Sequence, residues 1–387
     1  MKVCMIYYSN FNPLYSRDAN AHVARGDEVD VFCYRLPYEK KQSVSPHLKI
    51  HRLMQRTFDE KSPLDHLLKM AYFFFVATIK VTILHLKKRF DLIHVISPPD
   101  FMIFSAIIPR ALGVKTILNI HDVVPEFYMR KFRVEENHMM IKLLKCVEKI
   151  CCRIANHVIT VTDIWRDRLI GRTGISGSKC TVLMNVPDSE ILNVMKNTER
   201  RSSSNFRLLY PGNIGEHFGV ETLVRAIPLV KTEIPSIKLE IYGEGAQRKF
   251  LQRLARDLRV DENIDFNRYI PVKELYSIMR QVDIGVVPTL DGVFAGEALS
   301  TKSLEFLAIG TPVVISRTKV SEYYYDDSMV MFFKQGDHYD LARCIIELYK
   351  DRDRRNTLVQ NAKQFNEKHN WEHYKRVYLG MADRLVG

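Results

Sequence analysis

Strand-sized runs of β-branched and aliphatic residues recur along these 387 residues, each followed by a stretch with helical apolar spacing, and the whole pattern runs twice. In the first half the runs are Val3–Tyr8, Val29–Tyr34, Leu92–Ile96, Thr116–Ile120, Val158–Val161 and Val182–Met184. In the second they are Leu208–Tyr210, Leu239–Tyr242, Ile264–Phe266, Ile284–Val287, Val313–Ile315 and Val330–Phe333. Segments such as Ile141–Ile154 lie between them, with apolar residues at helical intervals. Strands that alternate with helices are joined by crossovers, and crossovers lay strands parallel. A polar stretch from Lys196 to Asn205, with three serines in a row, divides the two runs. The expectation is an α/β chain of two Rossmann-like, doubly wound domains facing a central cleft. They span 1–195 and 206–364, joined by a linker at 196–205 and followed by a terminal helix at 365–387.

Two segments of the second half bring together residue types suited to a phosphorylated ligand. Leu208-Leu-Tyr210-Pro-Gly212-Asn213-Ile-Gly215-Glu-His217-Phe-Gly219 reads as strand, glycine turn and helix start. Glycines let backbone approach a ligand closely, and a helix start offers unpaired N–H groups to a phosphate. Most such turns are simply tight turns. Farther on, Glu297 and Glu305 stand eight positions apart around Ser300-Thr301-Lys302-Ser303-Leu304. The apolar spacing Leu304, Leu307 and Ala308 predicts a helix opening near Thr301 and closing at Gly310, with Glu305 on its first turn. Carboxylates accept from hydroxyls, so this layout suits a ligand with hydroxyls at two ends and an anion between. A lone pair of glutamates at this spacing is ordinarily two solvated side chains.

Taken together, these segments resemble the donor site of the retaining GT-B glycosyltransferases (glycosyltransferase family 4), and the likeness extends along most of the chain. The run Lys302-Ser-Leu-Glu305-Phe-Leu-Ala-Ile-Gly310-Thr-Pro312-Val-Val matches the family's K-x-x-E-x-x-A-x-G-x-P-V-V stretch. The resemblance implies a GT-B fold, with the last helix crossing back to the first domain, and a nucleotide-sugar donor. It implies that Glu297 holds the transferred sugar, that Glu305 holds the ribose, and that the Gly212–Gly219 loop holds the diphosphate beside Ser303 and Leu304. The family's Arg and Lys in that loop are Asn213 and His217 here. That form resembles a subset which transfers amino or deoxy sugars in bacterial surface-polysaccharide synthesis. Lys302 and Arg268 become the candidates for compensating charge. Uridine donors are commonest in the subset, so the resemblance implies UDP rather than GDP; no cofactor or metal is implied, and no clustered Asp-x-Asp occurs.

In the first half, Asn119-Ile-His121-Asp122-Val-Val-Pro125-Glu126 leaves a strand and enters a loop, where polar groups point away from the sheet. The family carries a His here facing the donor sugar, so the resemblance makes His121 and Asp122 catalytic candidates. Glu126, His94 and Arg17 are acceptor-side candidates, although a surface role for Arg17 and a structural one for His94 are the plainer readings.

Net charge is unevenly divided. Residues 1–190 hold 28 Lys and Arg against 19 Asp and Glu, leaving +9, whereas the remaining residues hold 29 against 26, leaving +3. An anionic partner on the first half follows. No nucleic-acid-binding signature accompanies the charge, so nucleic acid is not expected. Leu64–Leu86 is rich in Leu, Phe and Ile, but Lys69, Lys80 and His85 interrupt it and Lys87-Lys88-Arg89 follows. Such interruptions argue against a spanning helix. The expected arrangement puts Leu64, Leu68, Ala71, Phe75, Ile79 and Leu86 against the sheet, and Phe73, Val76 and Ile83 off that stripe near basic residues. These features point to a glycan or polyprenyl-linked acceptor at the cytoplasmic face of an anionic membrane. Seven cysteines without a disulfide-like pattern also suit the cytoplasm. The alternatives are a GT-B nucleotide-sugar epimerase, which needs no acceptor, and a catalytically silent membrane-associated scaffold, which the Asn213 and His217 departures allow.

Overall fold

The computed structural model describes residues 1–11, 13–36, 46–56, 63–189, 192, 205–292 and 296–387. The expected linker at 196–205 lies outside the described residues except for Asn205. Two compact units emerge, one made of Met1–Met184 with Tyr374–Gly387, the other of Asn185–His373.

The first unit is built on seven parallel strands: β1 (Lys2–Asn10), β2 (Glu28–Arg35), β3 (Leu48–Gln55), β4 (Leu92–Ser97), β5 (Lys115–Ile120), β6 (His157–Thr160) and β7 (Cys180–Val182). Their order is β3-β2-β1-β4-β5-β6-β7, so the winding direction reverses between β1 and β4. Ile6, Phe32, Val95, Leu118 and Val158 form the buried spine. The strand expected at Val182–Met184 ends at Val182, where Leu183 N–H still bonds Thr160 carbonyl. Strand β3 has no counterpart among the expected runs. It is an edge strand, Leu-Lys-Ile-His-Arg-Leu-Met-Gln, whose polar residues dilute the β-branched signal.

Helix Pro63–Lys88 packs on this sheet by a face opposite to the one expected. Phe73, Ala77 and Val81 are fully buried, while Leu68, Phe75, Ile79 and Leu86 are exposed, Phe75 by 62% and Leu68 by 61%. The reason is geometric. Ala77, in the middle of the Phe73–Val81 row, lets the helix backbone come close to the strands, and the bulkier rows then face outward. With apolar residues on nearly every face, periodicity alone does not choose between them.

The second unit has six parallel strands: β8 (Phe206–Pro211), β9 (Ile237–Tyr242), β10 (Ile264–Asn267), β11 (Ile284–Val287), β12 (Val313–Ser316) and β13 (Met331–Phe333). Their order is β10-β9-β8-β11-β12-β13, and the reversal falls between β8 and β11. Leu208, Leu239, Ile284 and Val314 pack against Leu223 and Ile227 of helix Val220–Glu233 and against Leu341 and Ile345 of helix His338–Lys350. Doubly wound sheets of this kind bind ligands beyond the carboxyl ends of the strands at the reversal.

The final helix, Trp371–Val386, contributes Tyr378 to the first unit. The Tyr378 hydroxyl lies 2.7 Å from His94 Nδ1 and 3.1 Å from His22 Nε2, and His22 Nδ1 lies 2.7 Å from Asp27.

Candidate active site

At the reversal of the second sheet, three loops meet with almost no room between backbones. A Cβ on Gly219 would sit 1.8 Å from the Pro288 carbonyl oxygen, which follows β11, and Gly219 has a φ of 67°. A Cβ on Gly243, after β9, would sit 1.8 Å from the Gly212 carbonyl oxygen. Only glycine fits at either place. The loop is further pinned by Gly212 N–H donating to Tyr242 carbonyl at 2.7 Å and by Tyr210 hydroxyl donating to Asn213 carbonyl at 2.6 Å. Asn213 itself is exposed, and the His217 ring is tilted against Phe218 with centroids 3.8 Å apart.

Helix Thr301–Ile309 lies beside this turn and closes at Gly310 in the left-handed region, as its spacing predicts. Lys302 lies over Gly212: its Cε is 2.6 Å and its Nζ 3.1 Å from where a Gly212 Cβ would be. The ammonium is 4.6 Å from the Phe218 ring centre and 5.4 Å from that of Tyr210. Among the described residues no carboxylate forms a salt bridge with it. Desolvation lowers its pKa to about 8, and nearby Glu305 opposes that shift. Glu305 sits on the second turn rather than the first, accepts from the Tyr276 hydroxyl at 3.1 Å, and is raised by desolvation to about 7. Ser303 is fully buried, its hydroxyl 2.7 Å from the Ser300 carbonyl and 2.9 Å from the Tyr325 hydroxyl; Leu304 is buried too. Glu297 is nearly buried and accepts from Lys319 Nζ at 2.9 Å. Arg268 is exposed between β10 and helix Val272–Gln281.

In the first unit, His121 and Asp122 follow β5. His121 is buried, and burial, with Arg17 adding to it, lowers its pKa to about 3. The imidazole is therefore neutral at pH 7. Burial raises Asp122 to about 6, with Arg130 opposing. Arg17 is not a surface residue: it is 4% exposed, lies 3.6 Å from Asp18, and donates to Met184 carbonyl. His94 is fully buried behind Tyr378. Glu126 is 2% exposed and accepts from Arg172 at 2.5 Å and Arg168 at 3.1 Å. The structure therefore gives His94 and Glu126 internal partners.

Family models for Glycosyltransferase Family 4 and for Glycosyl transferases group 1 match residues 19–190 and 193–365, so that together they run through both units. The chain is a family 4-like glycosyltransferase of GT-B fold. A GDP-mannose-dependent alpha-(1-6)-phosphatidylinositol monomannoside mannosyltransferase of Mycolicibacterium smegmatis is 36% identical over 102 residues, 26% of this chain and 27% of that one. The matches span from 27% to 66% of the length of such curated relatives. Among solved structures, sucrose-phosphate synthase from Thermosynechococcus elongatus superposes with a TM-score of 0.73 at 18% identity, covering 99% of this chain and 98% of that one. Anabaena Alr3699/HepE, solved with UDP and glucose, gives a TM-score of 0.72 at 13% identity with both chains fully covered. At those identities the likeness shows the fold.

Two site neighbours of this family 4-like chain are not legible in the sequence: Tyr276 on Glu305 and Lys319 on Glu297. Each comes from a separate helix, and nothing in its local pattern marks it.

Proposed function

We propose that this protein transfers a sugar, with retention of configuration, from a UDP-sugar to a glycan or polyprenyl-linked acceptor in surface-polysaccharide synthesis. The observation that carries the reading is Lys302, a desolvated ammonium with no salt bridge to a carboxylate among the described residues, lodged over the glycine turn at the strand reversal. A cation so placed favours an anionic ligand whose charge it neutralises. The diphosphate is held by Lys302 and by backbone N–H groups of the Gly212–Gly219 loop and of the start of helix Thr301–Ile309. Glu305 takes the ribose, and Glu297, oriented by Lys319, takes the sugar. His121 is the catalytic candidate of the first unit, presenting a neutral imidazole, with Asp122 beside it. Retention, as the family resemblance implies, proceeds by front-face attack. The acceptor oxygen bonds to the anomeric carbon as the bond to the diphosphate breaks, and the leaving phosphate takes the acceptor's proton. The departing charge is stabilised by preorganised N–H and ammonium groups, and no resident metal is required in this reading.

UDP is supported by the UDP and glucose bound to Anabaena Alr3699/HepE. The name of the Mycolicibacterium smegmatis relative gives a phosphatidylinositol monomannoside as its acceptor, with GDP-mannose as its donor. Helix Pro63–Lys88 suits a cytoplasmic, peripheral station at the membrane. It is long and apolar enough to cross a bilayer by length and composition, yet only 17% of its most apolar window is buried. Its outward row Leu68, Tyr72, Phe75, Ile79, Ile83 and Leu86 recurs every three or four residues, and Lys87, Lys88 and Arg89 follow. Calorimetric titration with UDP, GDP and ADP, together with release of free nucleotide from each donor, tests the proposal. UDP binding lost in Lys302→Met is expected. No binding of any nucleoside diphosphate would overturn it.

A further inference from the structure

The second unit carries a hollow of about 520 Å³ between helix Lys319–Tyr324 and helix Arg352–Lys368. None of the residues lining it belongs to the glycine turn or to helix Thr301–Ile309. Its volume is that of a small-molecule site. One wall is aromatic. Tyr323 and Tyr324 end the shorter helix, their ring centres 4.8 Å apart and their planes at 74°, and Tyr323 is 56% exposed.

The opposite wall is a row of amides. Gln360, Asn361 and Gln364 are spaced three and four apart on the longer helix, so they share one face of it, and all three are exposed. Among the described residues the side chains of Gln360 and Gln364 make no hydrogen bond. Ser328 orders the rim: its carbonyl accepts from Asn361 Nδ2 at 2.9 Å, and its N–H donates to Asp326 Oδ1 at 2.8 Å. Asn361 Oδ1 and Asp326 Oδ2 are thereby held in place as acceptors, and among the described residues nothing donates to either.

These walls select a ligand chemistry. Each amide offers two donors and an acceptor to neighbouring hydroxyls, and a carboxylate accepts from more than one hydroxyl. A tyrosine ring presents a negative face, to which the slightly positive C–H groups on one side of a pyranose can turn. Asp326 and Lys368 contribute one charge of each sign, so the hollow favours a ligand without net charge. A molecule with a C–H face, many hydroxyls and no charge is a neutral sugar. The hollow also shares a segment with the donor side. Lys319, at the start of the six-residue helix, donates to Glu297 at 2.9 Å, and Tyr325, just past its end, has its hydroxyl 2.9 Å from that of Ser303.

We propose that this hollow is a second carbohydrate site, separate from the donor turn, which takes an uncharged oligosaccharide. A pyranose face stacks on Tyr323, and the hydroxyls pair with Gln360, Gln364 and Asp326. A glycan gripped there stays near the protein between encounters with the donor, because a second point of attachment raises its local concentration. The site itself does not depend on the transfer reading; only that consequence rests on it.

Saturation-transfer NMR titration of the full chain tests it, with maltopentaose, cellopentaose and chitopentaose as probes and open-chain glucitol as control. At least one pentasaccharide is expected to bind with a Kd on the order of 1 mM, with saturation strongest on the protons of one ring face. Glucitol has the hydroxyls but no ring face, and should bind about tenfold or more weakly. Tyr323→Ala should lower pentasaccharide affinity by about tenfold and Tyr323→Phe should keep it, while Gln360→Ala with Gln364→Ala should also lower it by about tenfold. These side chains are exposed, so the variants should unfold at the wild-type temperature. If Tyr323→Ala unfolds early, the glutamine variant decides. No binding of any pentasaccharide would overturn the proposal, as would glucitol binding as tightly as they do. Affinity unchanged in a folded Tyr323→Ala or in the glutamine variant would place the sugar elsewhere and overturn it too. UDP titration of the same samples separates the two proposals. Pentasaccharide binding that depends on Tyr323, without UDP binding, sinks the donor reading alone, and UDP binding without pentasaccharide binding sinks the second site alone.

Discussion

In the first unit, Arg172 lies between two nearly buried carboxylates, 2.5 Å from Glu126 and 2.6 Å from Glu148. In the second, Lys302 is desolvated over a glycine turn with aromatic rings around it and no salt-bridge partner among the described residues. Both are cations largely removed from water. Arg172 is neutralised by its own chain, so its site is complete and serves the fold. Lys302 is not, and a site left incomplete in this way is where a ligand's charge belongs.

The largest expected effect breaks the complete site. Arg172→Met strands two buried carboxylates and should cost about 3–5 kcal/mol of stability, read by denaturant unfolding. Burial raises Glu148 to about 7, with Arg172 opposing. Below pH 7 Glu148 takes up a proton and needs its partner less, so the loss should be smaller at pH 6 than at pH 8. A variant as stable as the wild type at pH 8 would show that the pairing contributes nothing.

Next comes the incomplete site. Lys302→Met should weaken UDP binding by about 1.5–3 kcal/mol, the range for a hydrogen bond to a charged group, while stability holds or rises because a desolvated charge is gone. If stability falls as far as in Arg172→Met, the contrast between the two cations fails. The wild-type protein should also show a bell-shaped dependence of UDP affinity on pH. Lys302 loses its charge as pH rises through about 8, and Glu305 loses its own as pH falls through about 7. Affinity should therefore peak between those values, and Lys302→Arg should remove the alkaline limb.

Smaller still is the division of labour between the glutamates. Glu305→Ala should weaken UDP and UDP-sugar alike by about 1.5 kcal/mol. Glu297→Ala should spare free UDP and lower the transfer rate instead. Equal UDP affinity in the wild type and Glu305→Ala would remove the ribose assignment.

On stability, the smallest change is expected at the outward row of helix Pro63–Lys88. Phe75→Ser with Ile79→Ser should shift unfolding by no more than about 0.5 kcal/mol each, since neither side chain packs on the sheet. Flotation with anionic vesicles should nonetheless fall, and should fall with added salt as well. Undiminished flotation would leave the membrane contact to other residues.

The sequence is most informative where local chemistry is self-contained. Strand Ile284–Val287 and the helix stop at Gly310 are fixed by β-branched content and by the left-handed turn, so both can be read residue by residue. Lys302 is legible because its place in a contiguous motif defines it. What escapes depends on contacts distant in sequence. Arg17 is buried where the chain 167 residues farther on meets it, its guanidinium donating to the Met184 carbonyl, and nothing beside Arg17 in the sequence signals that contact. Lys319 and Tyr276 reach the glutamates from other helices. The packing face of helix Pro63–Lys88 cannot be read from its spacing, because both of its rows are apolar and only the fit of Ala77 to the sheet chooses between them.

The first unit is assembled from both ends of the chain, with Tyr378 hydrogen-bonded inside it. On the ribosome that arrangement inverts the usual order of maturation. Residues 185–373 form a complete unit of their own, so that unit has its whole sequence before the one begun earlier. Synthesis proceeds at about 5–20 residues per second, so His94 and His22 wait on the order of ten seconds or more for their hydroxyl partner. Through that interval the nascent first unit keeps a polar, open flank where Tyr378 will lie, a window in which a chaperone has something to hold.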